Sequence, residues 1–196
     1  GCVRTRATLP AATHAAQMSE KTWTPPAPDA IPAPPQGKIF DRHSLSNLNE
    51  LRPERLHLDW TVDWEQKRIA GTVTHTLHVL EQGTSQAVFD TSYLDIGTVR
   101  VDGQPAEAEL RPRHKALGQP LVVQLGARDA GTEVTVEIAY TTTDACTALG
   151  WLSREQTHAK RAPFLYSQCQ AIHARSLVPC FDAPGRKITY TASVTS

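Results

Sequence analysis

From Leu56 to Tyr140 the chain alternates apolar and polar residues with a period of two, and this limits the possible folds more than any other feature of the sequence. Leu56, Leu58, Trp60 and Val62 fall on one side of an extended segment, and His57, Asp59, Thr61 and Asp63 fall on the other. That is the pattern of a half-buried strand. Trp64 to Lys67 turns the chain, and a second strand runs from about Arg68 to Leu80. It sets Ile69, Val73, Leu77 and Val79 against Thr72, Thr74, Thr76 and His78. Gly71 within it marks a bulge or a close backbone approach.

Shorter strands are predicted at Ala87–Asp90 and Leu94–Val101. Asp102-Gly103 is a two-residue hairpin signal, so the return strand Ala106–Arg111 is expected to pair with its predecessor. Leu121–Leu125 and the alternating Val134–Tyr140 complete the series, and Lys187–Val194 alternates again near the end of the chain. Short strands separated by turn signals predict an all-β fold, a saddle-like sandwich of two sheets. Between Thr141 and Lys160 the alternation stops; Ala148–Leu152 is a compact apolar cluster, and Ser153-Arg154-Glu155-Gln156 reads as a capping box opening a single helical turn.

The chemistry-bearing residues are concentrated in Ser167–Arg175, which holds two carboxamides, a thiol, an imidazole and a guanidinium. If Gln168, Cys169 and Gln170 are extended, both carboxamides lie on one side and Cys169 on the other. Two amides side by side offer acceptors and donors suited to a peptide-like ligand. His75 and His78 are an odd number of positions apart on a strand, point to opposite faces and cannot share an ion. The sequence has no His-Glu-x-x-His, no Gly-rich phosphate loop and no Gly-x-Ser-x-Gly elbow. A complete catalytic apparatus is therefore not expected within it.

The N-terminal part reads differently. Gly1–Gln17 contains no acidic residue and no hydrophobic period, and the only methionine is Met18, which is one candidate natural start. Gly1-Cys2-Val3-Arg4-Thr5 fits a myristoylation pattern if a Met preceded it, and Arg4 and Arg6 without acids permit a transit peptide; an inert leader is the preferred reading. Six prolines between Pro25 and Pro35 make an extended linker or arm. A disordered leader and Pro-rich linker over residues 1–40, followed by a β domain over 41–196 that is incomplete at its C-terminal end, is the expected organisation. Ending in a strand pattern implies that more protein follows.

Twenty basic and twenty acidic side chains cancel, with no basic block, which argues against nucleic acid and anionic membranes as partners. No apolar run approaches the roughly 20 residues that span a bilayer. Four cysteines without Cys-x-x-Cys spacing indicate neither a disulfide scaffold nor a zinc knuckle, and fit a reducing setting, cytoplasmic or also nuclear.

Ala148-Leu149, Trp151-Leu152, Glu155-Gln156-Thr157, Pro163–Arg175 and Pro179-Cys180 with Asp182 and Pro184 together resemble the leukotriene A(4) hydrolase branch of the zinc aminopeptidases. Val62-Asp63-Trp64 with Gly71-Thr72-Val73 is similar to that family's N-terminal domain, and Ser44-Leu45-Ser46-Asn47 to its fungal members. Phe181 and Gly150 depart from the branch, which commonly has Gln at both positions. The resemblance implies a β domain that precedes a thermolysin-like catalytic domain and a helical domain of the same protein. It implies substrate contacts from Gln168, Cys169, Gln170 and Ala171, with Gln170 accepting hydrogen bonds from the α-ammonium of a peptide N-terminus. The family's Gly-x-Met-Glu-Asn motif and zinc helix are absent here, so zinc would bind in the full-length parent, with no cofactor, metal ligand or catalytic residue in this chain, which alone is expected to be inactive. Epoxide hydrolase activity of the parent is a further implication. His173, Arg175 and Asp182 are expected to be local partners that hold a loop, and Cys169 and Cys180 to be buried thiols. The competing reading is a non-catalytic β-sandwich binding or interaction module.

Overall fold

The computed structural model describes residues 38–196; the leader and the Pro-rich segment from Pro25 to Pro35 lie outside the described residues. Among the described residues eleven strands follow in chain order: β1 Leu51–Asp63, β2 Arg68–Val79, β3 Thr84–Thr91, β4 Leu94–Val101, β5 Gln104–Pro105, β6 Ala108–Leu110, β7 Gln119–Arg128, β8 Glu133–Thr142, β9 Leu149–Leu152, β10 Phe164–Ser167 and β11 Thr189–Thr195. They form a six-stranded sheet ordered β11-β1-β2-β8-β4-β5, a three-stranded sheet ordered β3-β7-β6, and the separate hairpin β9-β10. The fold is all-β, as expected.

The core lies where the two larger sheets face each other. Val73, Leu77 and Val79 of β2 and Val134, Val136 and Ile138 of β8 are buried in one cluster with Ala87 and Phe89 of β3 and Leu121, Val123 and Leu125 of β7. Leu51 and Leu56 both point inward although they are an odd number of residues apart, because a register shift between Pro53 and Arg55 re-phases β1. At the edge of the cluster, Trp60 Nε1 donates to Tyr140 Oη at 2.7 Å, so the half-buried indole has its one donor satisfied.

Gly71 marks a close approach, since it pairs with Trp60 in unbroken register. A Cβ built there would stand 1.9 Å from the carbonyl oxygen of Asp59. Asp102 and Gly103 both have positive φ, 50° and 78°, as the predicted hairpin turn requires. The return strand differs from expectation. Pairing with β4 is confined to Gln104 and Pro105, whereas Ala108–Leu110 crosses to the other sheet and pairs with β7. Pro105 has no N–H to donate, which suits the end of an edge ladder, and the crossing lets Leu110 pack against the core.

The region where alternation stops contains a strand, β9, which pairs with β10 beyond it to form a hairpin. Its register sets Gly150 opposite Tyr166 and Leu149 opposite Ser167. Between the strands a single 3-10 turn spans Arg154–Gln156, and Gln156 Oε1 accepts the Ser153 N–H at 2.9 Å, one half of the predicted capping box. β11 runs parallel to β1, with Tyr190 beside Leu56 and Val194 beside Trp60.

Candidate functional site

The Gln-x-Gln segment leaves the end of β10. Gln168 N–H still bonds to Ala148 O at 2.8 Å, extending the hairpin ladder by one rung, and the chain then turns, with His173 N–H donating to Cys169 O at 2.8 Å. The Gln170–Ala171 peptide within the turn is cis. Gln168, Gln170 and Ala171 are exposed and Cys169 is half-buried. Cys169 packs against the small apolar cluster of Val62, Ile69, Ala148 and Leu177. The two carboxamides thus face solvent while the thiol between them faces inward, and neither carboxamide has a side-chain hydrogen bond among the described residues.

Below this turn lies a buried ionic knot. Arg175, 2 % exposed on its side chain, donates from Nε to Asp182 Oδ2 at 2.9 Å, from Nη1 to Leu117 O at 2.7 Å and from Nη2 to His43 O at 2.7 Å. Its Nη1 also stands 3.5 Å from Asp90 Oδ1, on a fully buried carboxylate. Asp90 accepts from Ser44 Oγ at 2.5 Å, Leu45 N at 2.6 Å, Ser46 Oγ at 2.9 Å and Asp182 N at 3.1 Å. Burial pushes the Asp90 carboxyl up, while the Arg175 charge and the donors from residues 44–46 pull against that rise. Breaking one member of such a set leaves the others charged and dry.

His173 Nδ1 stands 2.8 Å from Thr147 Oγ1, and Ser176 Oγ accepts from Thr147 N and donates to His173 O. These bonds tie the turn to the chain just before β9. Burial pushes both the Cys169 and Cys180 thiols up, Cys180 far more strongly, so both remain protonated and weakly nucleophilic. Among the described residues no group of three His, Cys, Asp or Glu side chains is placed to hold a metal ion. The three or four nitrogen, sulfur or carboxylate donors that zinc takes are not brought together among the described residues. A shallow hollow beside β9 is lined by residues including Lys67, Asp144, Cys146, Leu149 and Trp151. The two carboxamides do not line it.

Two features carry no local signal in the sequence. Asp90, the centre of the knot, lies at the end of a short apolar strand with no local motif, and its partners come from distant segments. The β9-β10 hairpin was hidden because Gly150 has no side chain to alternate. Gly150 instead makes room for the Tyr166 ring, since a Cβ there would stand 2.2 Å from it.

Residues 52–196 match the Peptidase M1 N-terminal domain. The chain is 44 % identical over 161 residues to a leucine aminopeptidase 2 of Yarrowia lipolytica, an overlap of 82 % of this chain and 25 % of that protein. It superposes on native leukotriene A4 hydrolase from Saccharomyces cerevisiae with a TM-score of 0.75 and 38 % identity, covering 83 % of this chain and 26 % of that one. An M1 zinc metallopeptidase from Deinococcus radiodurans, at 21 % identity and a TM-score of 0.57, shares the fold. This chain spans about a quarter of the length of the fungal relatives it matches. With the match running from within β1 through β11 and taking in the Gln-x-Gln turn and the three charged residues of the ionic knot, the chain belongs to the peptidase M1 family and carries its N-terminal domain.

Proposed function

We propose that this domain is the substrate-recognition and scaffold part of a leukotriene A(4) hydrolase-like zinc aminopeptidase that removes N-terminal residues from peptides. The observation that carries this reading is the presentation of Gln168 and Gln170, exposed and without side-chain partners among the described residues, on a turn tied by the Gln168 N–H to Ala148 O and by His173 to Cys169 O and Thr147. A carboxamide oxygen accepts from an ammonium without a charge of its own, so Gln170 receives the α-ammonium of the peptide. Gln168, with Cys169 and Ala171 framing the turn, meets polar groups next to it. Zinc and the catalytic groups belong to the catalytic domain of the same protein, and the helical domain completes it; epoxide hydrolysis is a second activity of that assembly. The free thiols of Cys146, Cys169 and Cys180 support a reducing, cytoplasmic setting. Among the described residues no helix is long and apolar enough to cross a membrane.

The test is a chimera in which this chain replaces the matching first quarter of the Yarrowia lipolytica relative. Gln170→Ala in that chimera is expected to lower kcat/KM for peptides by roughly ten- to a hundred-fold, as loss of a hydrogen bond to a charged group of about 1.5–3 kcal/mol implies. Gln168→Ala lowers it less, and both melting temperatures stay within a degree or two of the parent's. Unchanged kinetics with a lowered melting temperature would show Gln170 to be structural.

A further inference from the structure

The turn that presents Gln168 and Gln170 is followed by hydrogen bonds that leave the His173 ring and come back to the His173 backbone. His173 O is a carbonyl and only accepts, so the Ser176 hydroxyl, 2.8 Å away, spends its single proton there. Ser176 Oγ keeps its acceptor sites, and one of them takes the Thr147 N–H at 3.1 Å. Thr147 Oγ1 stands 3.2 Å from the same Ser176 Oγ and 2.8 Å from His173 Nδ1. The one proton of the Thr147 hydroxyl cannot serve both contacts.

If that proton points at Nδ1, Thr147 Oγ1 and Ser176 Oγ face each other at 3.2 Å with lone pairs and no proton between them. If it points at Ser176 Oγ, Nδ1 must carry a proton of its own and donate it to Thr147 Oγ1. Every contact is then a bond: Nδ1–H to Thr147 Oγ1, Thr147 Oγ1–H to Ser176 Oγ, and Ser176 Oγ–H to His173 O. Hydrogen bonds that run in one sense along such a chain polarise and strengthen one another. The Nδ1–H tautomer is therefore the one the two hydroxyls select.

Ring and backbone of His173 are thus fixed together, and its N–H holds Cys169 O at 2.8 Å, with Gln170 and Ala171 in the span between. Thr147 is followed by Ala148, whose carbonyl takes the Gln168 N–H at 2.8 Å. Two adjacent residues before β9 therefore secure both ends of the turn.

We propose that His173, in its Nδ1–H form, is a positioning residue: through Thr147 and Ser176 it sets where the Gln170 carboxamide stands relative to a bound peptide. This rests on the reading of Gln170 as the partner of the peptide ammonium.

Imidazole nitrogen-15 spectra of the 196-residue chain at about pH 8, where an ordinary histidine is neutral, test the proton placement, with His173 assigned by difference from His173→Asn. A protonated Nδ1 and a bare Nε2 are expected; a ring protonated at Nε2 overturns the proposal. In the chimera with the Yarrowia lipolytica relative, Thr147→Val keeps the size and removes the hydroxyl, and should lower kcat/KM for peptides roughly tenfold, because small misplacements of a positioned group are costly. Thr147→Ser, which restores the hydroxyl, should recover most of that loss. Thr147→Val combined with Gln170→Ala should be no slower than Gln170→Ala alone, since no carboxamide is left to be placed. Losses that multiply, or a Thr147→Ser variant as slow as Thr147→Val, overturn the proposal. A slow Gln170→Ala beside a fully active Thr147→Val removes this inference alone, whereas a fully active Gln170→Ala removes the recognition reading and the inference with it.

Discussion

His75 stands between Phe89, with ring centroids 4.9 Å apart, and the carbonyl of Pro179, 2.9 Å from Nε2. A carbonyl only accepts, so Nε2 carries the proton and donates it, and Nδ1 is left as a buried nitrogen without a partner. Burial holds the imidazole down at about 4, against a slight upward pull from the Pro179 bond. The folded state thus binds fewer protons than the unfolded chain between pH 6.5 and 4. Stability contributed by keeping this ring neutral is complete above pH 6.5 and is lost as the pH falls towards 4, by about 3 kcal/mol in all. Urea unfolding at several pH values should show this loss in the parent chain and a shallower slope in His75→Leu; equal slopes would remove His75 as the cause. Arg175 is the second residue whose environment sets a large energy. Arg175→Met leaves Asp90 buried without its cation and should cost about 3–5 kcal/mol in denaturant unfolding, with Asp90→Asn in the same chain recovering part of it. A loss below about 1 kcal/mol would mean that the knot contributes little.

At the scale of elements, two glycines separate rigid from yielding contacts. Gly71 faces the Asp59 carbonyl at the β1–β2 pairing, and backbone cannot move aside without opening the ladder. Gly150 faces the ring of Tyr166, an exposed side chain on the opposite strand of a hairpin. Gly71→Ala should therefore destabilise by several kcal/mol, roughly the 1–3 kcal/mol of overpacking plus lost pairing, while Gly150→Ala should change stability by less than about 1 kcal/mol. Thermal melts of the two variants decide this, and a Gly150 variant as damaged as the Gly71 one would contradict it. The long strands β1, β2 and β8 were legible in the sequence because one face is buried and the other wet, so each residue reports its side. β6 was misassigned because a hairpin signal at Asp102-Gly103 says where a chain reverses and not how far the return strand stays paired. The site divides similarly. Alternation, on the condition of an extended segment, separates Gln168 and Gln170 from the Cys169 thiol, but the buried charge cluster that follows them depends on Asp90 meeting Arg175, which no local pattern encodes.

Among the described residues two sheets face each other with the β9-β10 hairpin beside them, and the 3-10 turn Ala174–Ser176 reaches distant segments through Arg175. That side chain gathers carbonyls from residues 132 and 58 positions away, together with the Asp90 carboxylate at the end of β3. Contacts of such long sequence separation are made only after most of the chain has been arranged, since closing the intervening loops costs entropy before any contact compensates it. Arg175→Met should then leave the refolding rate almost unchanged and appear nearly whole as faster unfolding, a φ-value below about 0.3 in stopped-flow chevrons. Slowed refolding in proportion to the lost stability would place the knot in the folding nucleus instead. On the first outcome, the guanidinium governs lifetime more than formation: a chain without it reaches its native state on schedule and leaves it early, and resistance to proteolysis under cleavage faster than reclosing shortens by the same factor.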